Sequence, residues 1–106
     1  MELVQIVFCT IDSGDAARRI ALQLVEERLV ACVNIIDNVT SVYKWEGDLE
    51  EDKELLMVMK TSADRLSALM DRIREIHPYD VPEILAWPAE KGNPGYVDWV
   101  LTQTRI

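Results

Sequence analysis

The stretch that decides the fold is Ala31–Trp45, ACVNIIDNVTSVYKW, followed by Glu46-Gly47-Asp48 and then Leu49–Lys60, LEEDKELLMVMK. Val33, Ile35, Val39, Tyr43 and Trp45 share one parity, the period-two signature of a strand. Asp37-Asn38 in mid-run marks a bulge or a bend. Glu46-Gly47-Asp48 is a tight turn containing glycine, so the two flanking runs read as a single hairpin. Strands of about 12 to 15 residues reach about 40 to 50 Å, whereas ordinary strands have about 5 to 6 residues.

Outward from the hairpin, the pattern repeats on each side. Leu3–Thr10 is a short apolar run rich in Val, Ile and Phe, a strand covered on both faces. Asp12 or Ser13 caps a helix whose Ala17, Ile20, Ala21, Leu24 and Val25 recur at helical spacing. Thr61-Ser62 caps a second helix with Leu66, Leu69, Met70 and Ile73 on one face, and His77-Pro78 ends it. Glu83–Trp87 reads as a short strand between Pro82 and Pro88, suited to a sheet edge. Asn93-Pro94 starts a brief closing helix over Tyr96–Thr102. The order β-α-β-β-α-β plus a tail helix predicts one α+β domain over residues 1–106, a ferredoxin-like sandwich with two helices on one face of an antiparallel sheet.

Two helices of roughly 15 residues are about 22 Å long and cannot shelter so long a ribbon. Its far half, with Val42, Tyr43, Trp45 and Leu49, is left in water unless another copy of the chain covers it. Self-association is therefore expected.

The 106 residues hold 11 Lys plus Arg against 19 Asp plus Glu, a net charge of -8. Such a surface repels phosphate backbones and anionic lipid, so neither nucleic acid nor a membrane is expected as a partner. No apolar run is long enough to span a bilayer. The acidic start Met1-Glu2 is unlike a secretory signal, and Cys9 and Cys32 make no disulfide framework, so a cytoplasmic protein with free thiols is expected.

Several activities hosted by this fold lack their residues. An RNA-recognition surface needs paired aromatics in a basic field, and only Phe8 qualifies. A soft-metal chaperone loop needs two closely spaced cysteines, and a phosphate-cradling loop needs an arginine. Thr10–Asp15 has neither. A thiol enzyme using Cys9 and His77 is permitted by composition alone.

Topology does gather one constellation. Cys9 near the end of the first strand, His77 at the end of the second helix and Glu83 at the start of the last strand fall at one end of the sheet, near Asp12 and Asp15. Thiolate, imidazole and carboxylate together suit copper or zinc. Each also has an ordinary structural reading: Cys9 as a core residue, His77 as a helix terminator, Glu83 as an ion-pair partner, and the two aspartates as caps. The acidic series Glu46, Asp48, Glu50, Glu51, Asp52 and Glu54 reads as a solvated ribbon face, and Trp45, Trp87 and Trp99 as packing or subunit-contact residues.

Cys9-Thr10, Ala31–Asn34, Ser41–Gly47, Met59–Thr61 and above all His77-Pro78-Tyr79-Asp80-Val81-Pro82-Glu83 resemble the CutA divalent-cation-tolerance proteins, from about residue 4 to about residue 101. The resemblance implies a cytosolic ferredoxin-like homotrimer, built like the PII signalling proteins, with long hairpins interlocking around a threefold axis. It implies a role in divalent-metal tolerance or homeostasis without enzymatic turnover, with copper(II) or a similar ion as ligand and no metal required for folding. Some animal relatives are linked to anchoring acetylcholinesterase. The implied copper positions are Cys9 and a histidine pair before Pro-Tyr. Ile76 stands where the first histidine would be and only His77 remains, so a three-ligand site must recruit Glu83 or an aspartate. A trimer would carry roughly three times the charge of one chain, concentrating cations without selecting one. The alternative expectation is a PII-like sensor binding a small ligand in clefts between subunits.

Overall fold

The computed structural model describes residues 2–106, and Met1, where the single-domain reading begins, lies outside them. Seven elements follow in the expected order: β1 (Val4–Ile11), α1 (Gly14–Glu26), β2 (Cys32–Trp45), β3 (Asp48–Ser62), α2 (Ala63–Ile76), β4 (Leu85–Pro88) and α3 (Pro94–Gln103). The sheet order is β2-β3-β1-β4 with every pairing antiparallel, the split βαβ arrangement.

The hairpin is as long as its sequence demands, with 14 residues in β2 and 15 in β3. Its turn is only two residues, because Trp45 already pairs with Asp48. Glu46 and Gly47 have φ of 50° and 87°, the positive pair of a type I′ turn, whose twist matches the strands it joins. At Asp37-Asn38 the register shifts, so that Ile36 faces Leu56 but Val39 faces Glu54. Asn38 takes φ of 60°, which asparagine tolerates better than most residues. The bulge changes which side the strand presents. Val33 and Ile35 pair with the buried Met59 and Met57, whereas Val39, Tyr43 and Trp45 pair with Glu54, Glu50 and Asp48 on the opposite face. The single parity read across β2 is thus two half-strands, one per face.

One core lies between the sheet and helices α1 and α2. Val7, Cys9, Ile11, Met57 and Met59 meet Ala17, Ile20, Leu24, Leu69 and Ile73, all fully buried. Ser13 caps α1, its Oγ accepting from Ala16 N–H at 3.2 Å. The other end of α1 closes without glycine: Arg28 takes φ of 59°, while Leu29 N–H reaches Leu24 O and Arg28 N–H reaches Val25 O. These are the bonds of a Schellman ending. A bidentate pair between Arg72 and Glu27, at 2.9 and 3.0 Å, ties α2 to it.

The second sheet face is mostly bare. Alpha-3 covers only its lower end, where Val100 packs on Val4 and Ala31. Above that lie Ile6, Phe8, Ile36, Leu56, Val58, Leu85 and Trp87, half-buried or exposed, with Phe8 and Trp87 in edge contact at 4.7 Å. The last strand begins at Leu85, not Glu83, and runs through Pro88. It is an edge strand, so the missing proline N–H costs no ladder bond to a further strand.

Truncating Ile73 to alanine should lower unfolding free energy by about 2–5 kcal/mol, the usual cost of a core cavity. Leu22→Ala, at a side chain 69% exposed on the outer face of α1, should change it by about 0.5 kcal/mol or less. Urea denaturation of the two variants measures the contrast.

Candidate functional site

Where β1 ends, α1 begins and α2 stops, the chain brings Cys9, His77 and Glu83 to one end of the sheet. Cys9 points into the helix-covered core and is fully buried, its Sγ 3.8 Å from Thr10 O. Burial pushes its thiol up to about 12, and the nearby carboxylates of Glu83 and then Glu54 add to the shift. Burial thus favours the protonated thiol and disfavours the thiolate that a ligand or nucleophile would need.

His77 is the C-cap of α2, where Pro78 forces the chain out of helical geometry. Its backbone N–H still reaches Ile73 O at 2.8 Å. The imidazole folds inward and is 7% exposed. Nδ1 lies 3.0 Å from Tyr79 N and Nε2 lies 2.8 Å from Thr10 O. A peptide N–H only donates and a carbonyl only accepts, so Nδ1 is the acceptor and Nε2 carries the proton. The ring also sits edge-on against Tyr79, 4.6 Å between centroids. Tyr79 in turn donates its hydroxyl to Glu54 at 2.8 Å. Burial, then that carboxylate, pushes its phenol well above the usual tyrosine range.

Glu83 lies in the irregular segment before β4 and is exposed. The described ion pairs are Arg72 with Glu27 and Glu75, and Arg74 with Asp71, so Glu83 is not held by a cation among the described residues. Asp15 lies in the first turn of α1, where a carboxylate suits the helix dipole. Outside this end, a cleft of about 1010 Å³ opens between the ribbon and residues 79–83, lined by Tyr43, Trp45, Glu54, Tyr79 and Glu83 among others. Tyr43 donates to Asp52 on this wall.

The donor set does not fit a copper or zinc ion as it stands. Both His77 nitrogens are engaged by backbone, the thiol is protonated, and no group of three or more His, Cys, Asp or Glu has ligating geometry among the described residues. Sequence reasoning placed Glu54 on a solvated ribbon face and gave Tyr79 no contact. The His-x-Tyr spacing at a helix end is the signal for the first bond of this network. Nothing local announces that Glu54 meets Tyr79.

A family model described as CutA1 divalent ion tolerance protein matches residues 5–103. The Divalent-cation tolerance protein CutA of Thermus thermophilus is 47% identical over 100 residues, 94% of this chain and 97% of that one. A solved structure of that organism's divalent cation tolerance protein (Cut A1) superposes with a TM-score of 0.93 at 46% identity, covering 97% of this chain and 100% of the other. Protein CutA of Mus musculus is 46% identical over 92% of this chain, but the chain spans only 55% of its length. The periplasmic divalent cation tolerance protein CutA of Archaeoglobus fulgidus superposes with a TM-score of 0.93 at 33% identity, covering 97% of this chain and all of that one. None of these carries a sign of PII signalling in its name.

At pH 8, iodoacetamide should label Cys32 in the folded protein and reach Cys9 only after denaturant is added, as peptide mass mapping will show. Because the Cys9 thiol is raised from 9.0 to about 12 on folding, its contribution to stability is complete below pH 9 and is lost as pH rises toward 12. Thermal unfolding should therefore shift down across that window, and the shift should shrink in Cys9→Ala.

Proposed function

The chain belongs to the CutA1 divalent ion tolerance family, and on that footing we propose that it serves divalent-cation tolerance as a homotrimer, without enzymatic turnover. What carries the trimer is the bare sheet face together with the two-stranded ribbon. Strand β1 pairs with β3 only from Leu55 to Ser62, so Asp48–Glu54 have β2 as their sole partner. Leu49, Val42 and Trp45 on that arm are 73%, 61% and 56% exposed. Burying a large apolar side chain is worth about 1.5–3 kcal/mol, so covering this many half-exposed ones gives association ample driving force.

The acidic surface then supplies a field that gathers divalent cations, copper(II) among them, around the assembly. No helix among the described residues is long and apolar enough to cross a membrane. The proposal places the chain in the cytoplasm, where a reducing environment keeps Cys9 and Cys32 as thiols. Ligation of copper by Cys9, His77 and Glu83 would require giving up one of the two hydrogen bonds of His77 and ionising a buried thiol, so the ion is not routed through them.

Cells lacking the gene should tolerate a narrower range of copper concentrations, and the wild-type gene should restore it. Trp87→Glu, which puts a charge on the bare face, should release single chains on gel filtration and fail to restore growth. Full complementation by a variant shown to be monomeric would remove assembly from the proposal; no growth difference between deletion and wild type would remove the tolerance role.

A further inference from the structure

We infer that His77 is a clasp rather than a metal ligand, fixing the segment Pro78–Glu83 against the end of β1, and that this chain handles divalent ions without a Cys9–His77 pair. His77 is the one histidine in the chain, so no second imidazole can replace it. Among the described residues no other hydrogen bond joins residues 77–83 to the end of β1. Strand β4 pairs with β1 only as far as Phe8. Two residues further on, the Thr10 carbonyl is met by Nε2–H at 2.8 Å. On the other side Nδ1 accepts the Tyr79 N–H at 3.0 Å, inside the segment that leads to Glu83.

An ion taking either nitrogen must break one of these bonds. Taking Nε2 would strip its proton and leave the Thr10 carbonyl only the weak Cys9 thiol donor at 3.8 Å; taking Nδ1 would strand the Tyr79 N–H. Losing a hydrogen-bond partner at this part-buried site is destabilising before any ligand bond is counted. The clasp continues outward, since the Tyr79 ring packs on the imidazole and its hydroxyl holds Glu54 at 2.8 Å. Glu54, one of the two carboxylates whose charge acts on Cys9, is therefore already committed to a phenol. All of these contacts lie within a single chain.

A lone histidine makes the test direct. Long-range ¹H–¹⁵N spectra of the wild-type protein show one imidazole, with expected signals of an Nε2–H tautomer whose Nδ1 accepts a hydrogen bond. Adding stoichiometric zinc should leave both ring shifts in place. His77→Ala should open the 78–83 segment to limited proteolysis and lower the melting temperature, while copper and zinc titrations match those of wild type. An Nδ1–H tautomer, a ring nitrogen moved to a metal-bound shift by zinc, or tight copper binding abolished in His77→Ala or Cys9→Ala would each overturn the inference. Should His77→Ala not fold, the wild-type spectra with and without zinc decide alone.

Discussion

A sheet must bury both of its apolar faces, and here one helical layer is asked to cover a hairpin that outruns it. Helices α1 and α2, at 13 and 14 residues, span about 20 Å. The molecule they belong to is 44 Å along its longest axis. The core of Val7, Cys9, Met57, Met59, Ile20, Leu24, Leu69 and Ile73 is complete on the helical side. The opposite face, from Ile6 and Phe8 to Trp87, and the whole ribbon beyond Glu54 have no layer of their own within one chain. That imbalance is what the remaining features answer to.

The bulge at Asp37-Asn38 is one such feature. By turning Val39, Tyr43 and Trp45 away from the helical side, it sets the ribbon's aromatics on the same side as the bare lower sheet. Val42 and Leu49 stay exposed on the helical side of the ribbon, so the arm carries uncovered apolar side chains on both faces. Carboxylates at Glu50, Asp52 and Glu54 share the side of the aromatics, which keeps the arm soluble and biases it toward a specific fit over indiscriminate stacking.

Periodicity and turn chemistry made the fold legible because each element's signal was local: the Ile20/Leu24 stripe, the Glu46-Gly47 turn, Pro94 at a helix start. What stayed hidden was set by contacts distant in sequence. The two faces of β2 could not be told apart, because the residue count across a bulge is fixed by β3 pairing and not by β2 alone. Helix α1 ends on Arg28 in a left-handed conformation that glycine normally signals, and the last strand starts two residues later than its prolines imply. At the site, topology put Cys9, His77 and Glu83 at one end of the sheet. It could not show that the imidazole's two nitrogens are spent on Thr10 and Tyr79, or that the thiol lies in the core. Residue type proposes ligands; hydrogen-bond partners decide whether they are available.

The site end and the bare face are linked through the clasp. Tyr79 reaches from His77 to Glu54 at the ribbon's base, so the segment leading into β4 and the arm leaving the sheet are held in one geometry. The central claim is that this geometry is completed by other copies of the same chain. Static light scattering on the wild-type protein, diluted through the micromolar range with tryptophan emission recorded in parallel, tests it most directly. The account predicts a constant mass of three chains and blue-shifted emission from sheltered indoles. A folded species with the mass of one chain, its tryptophan emission that of water-exposed indole, would contradict it.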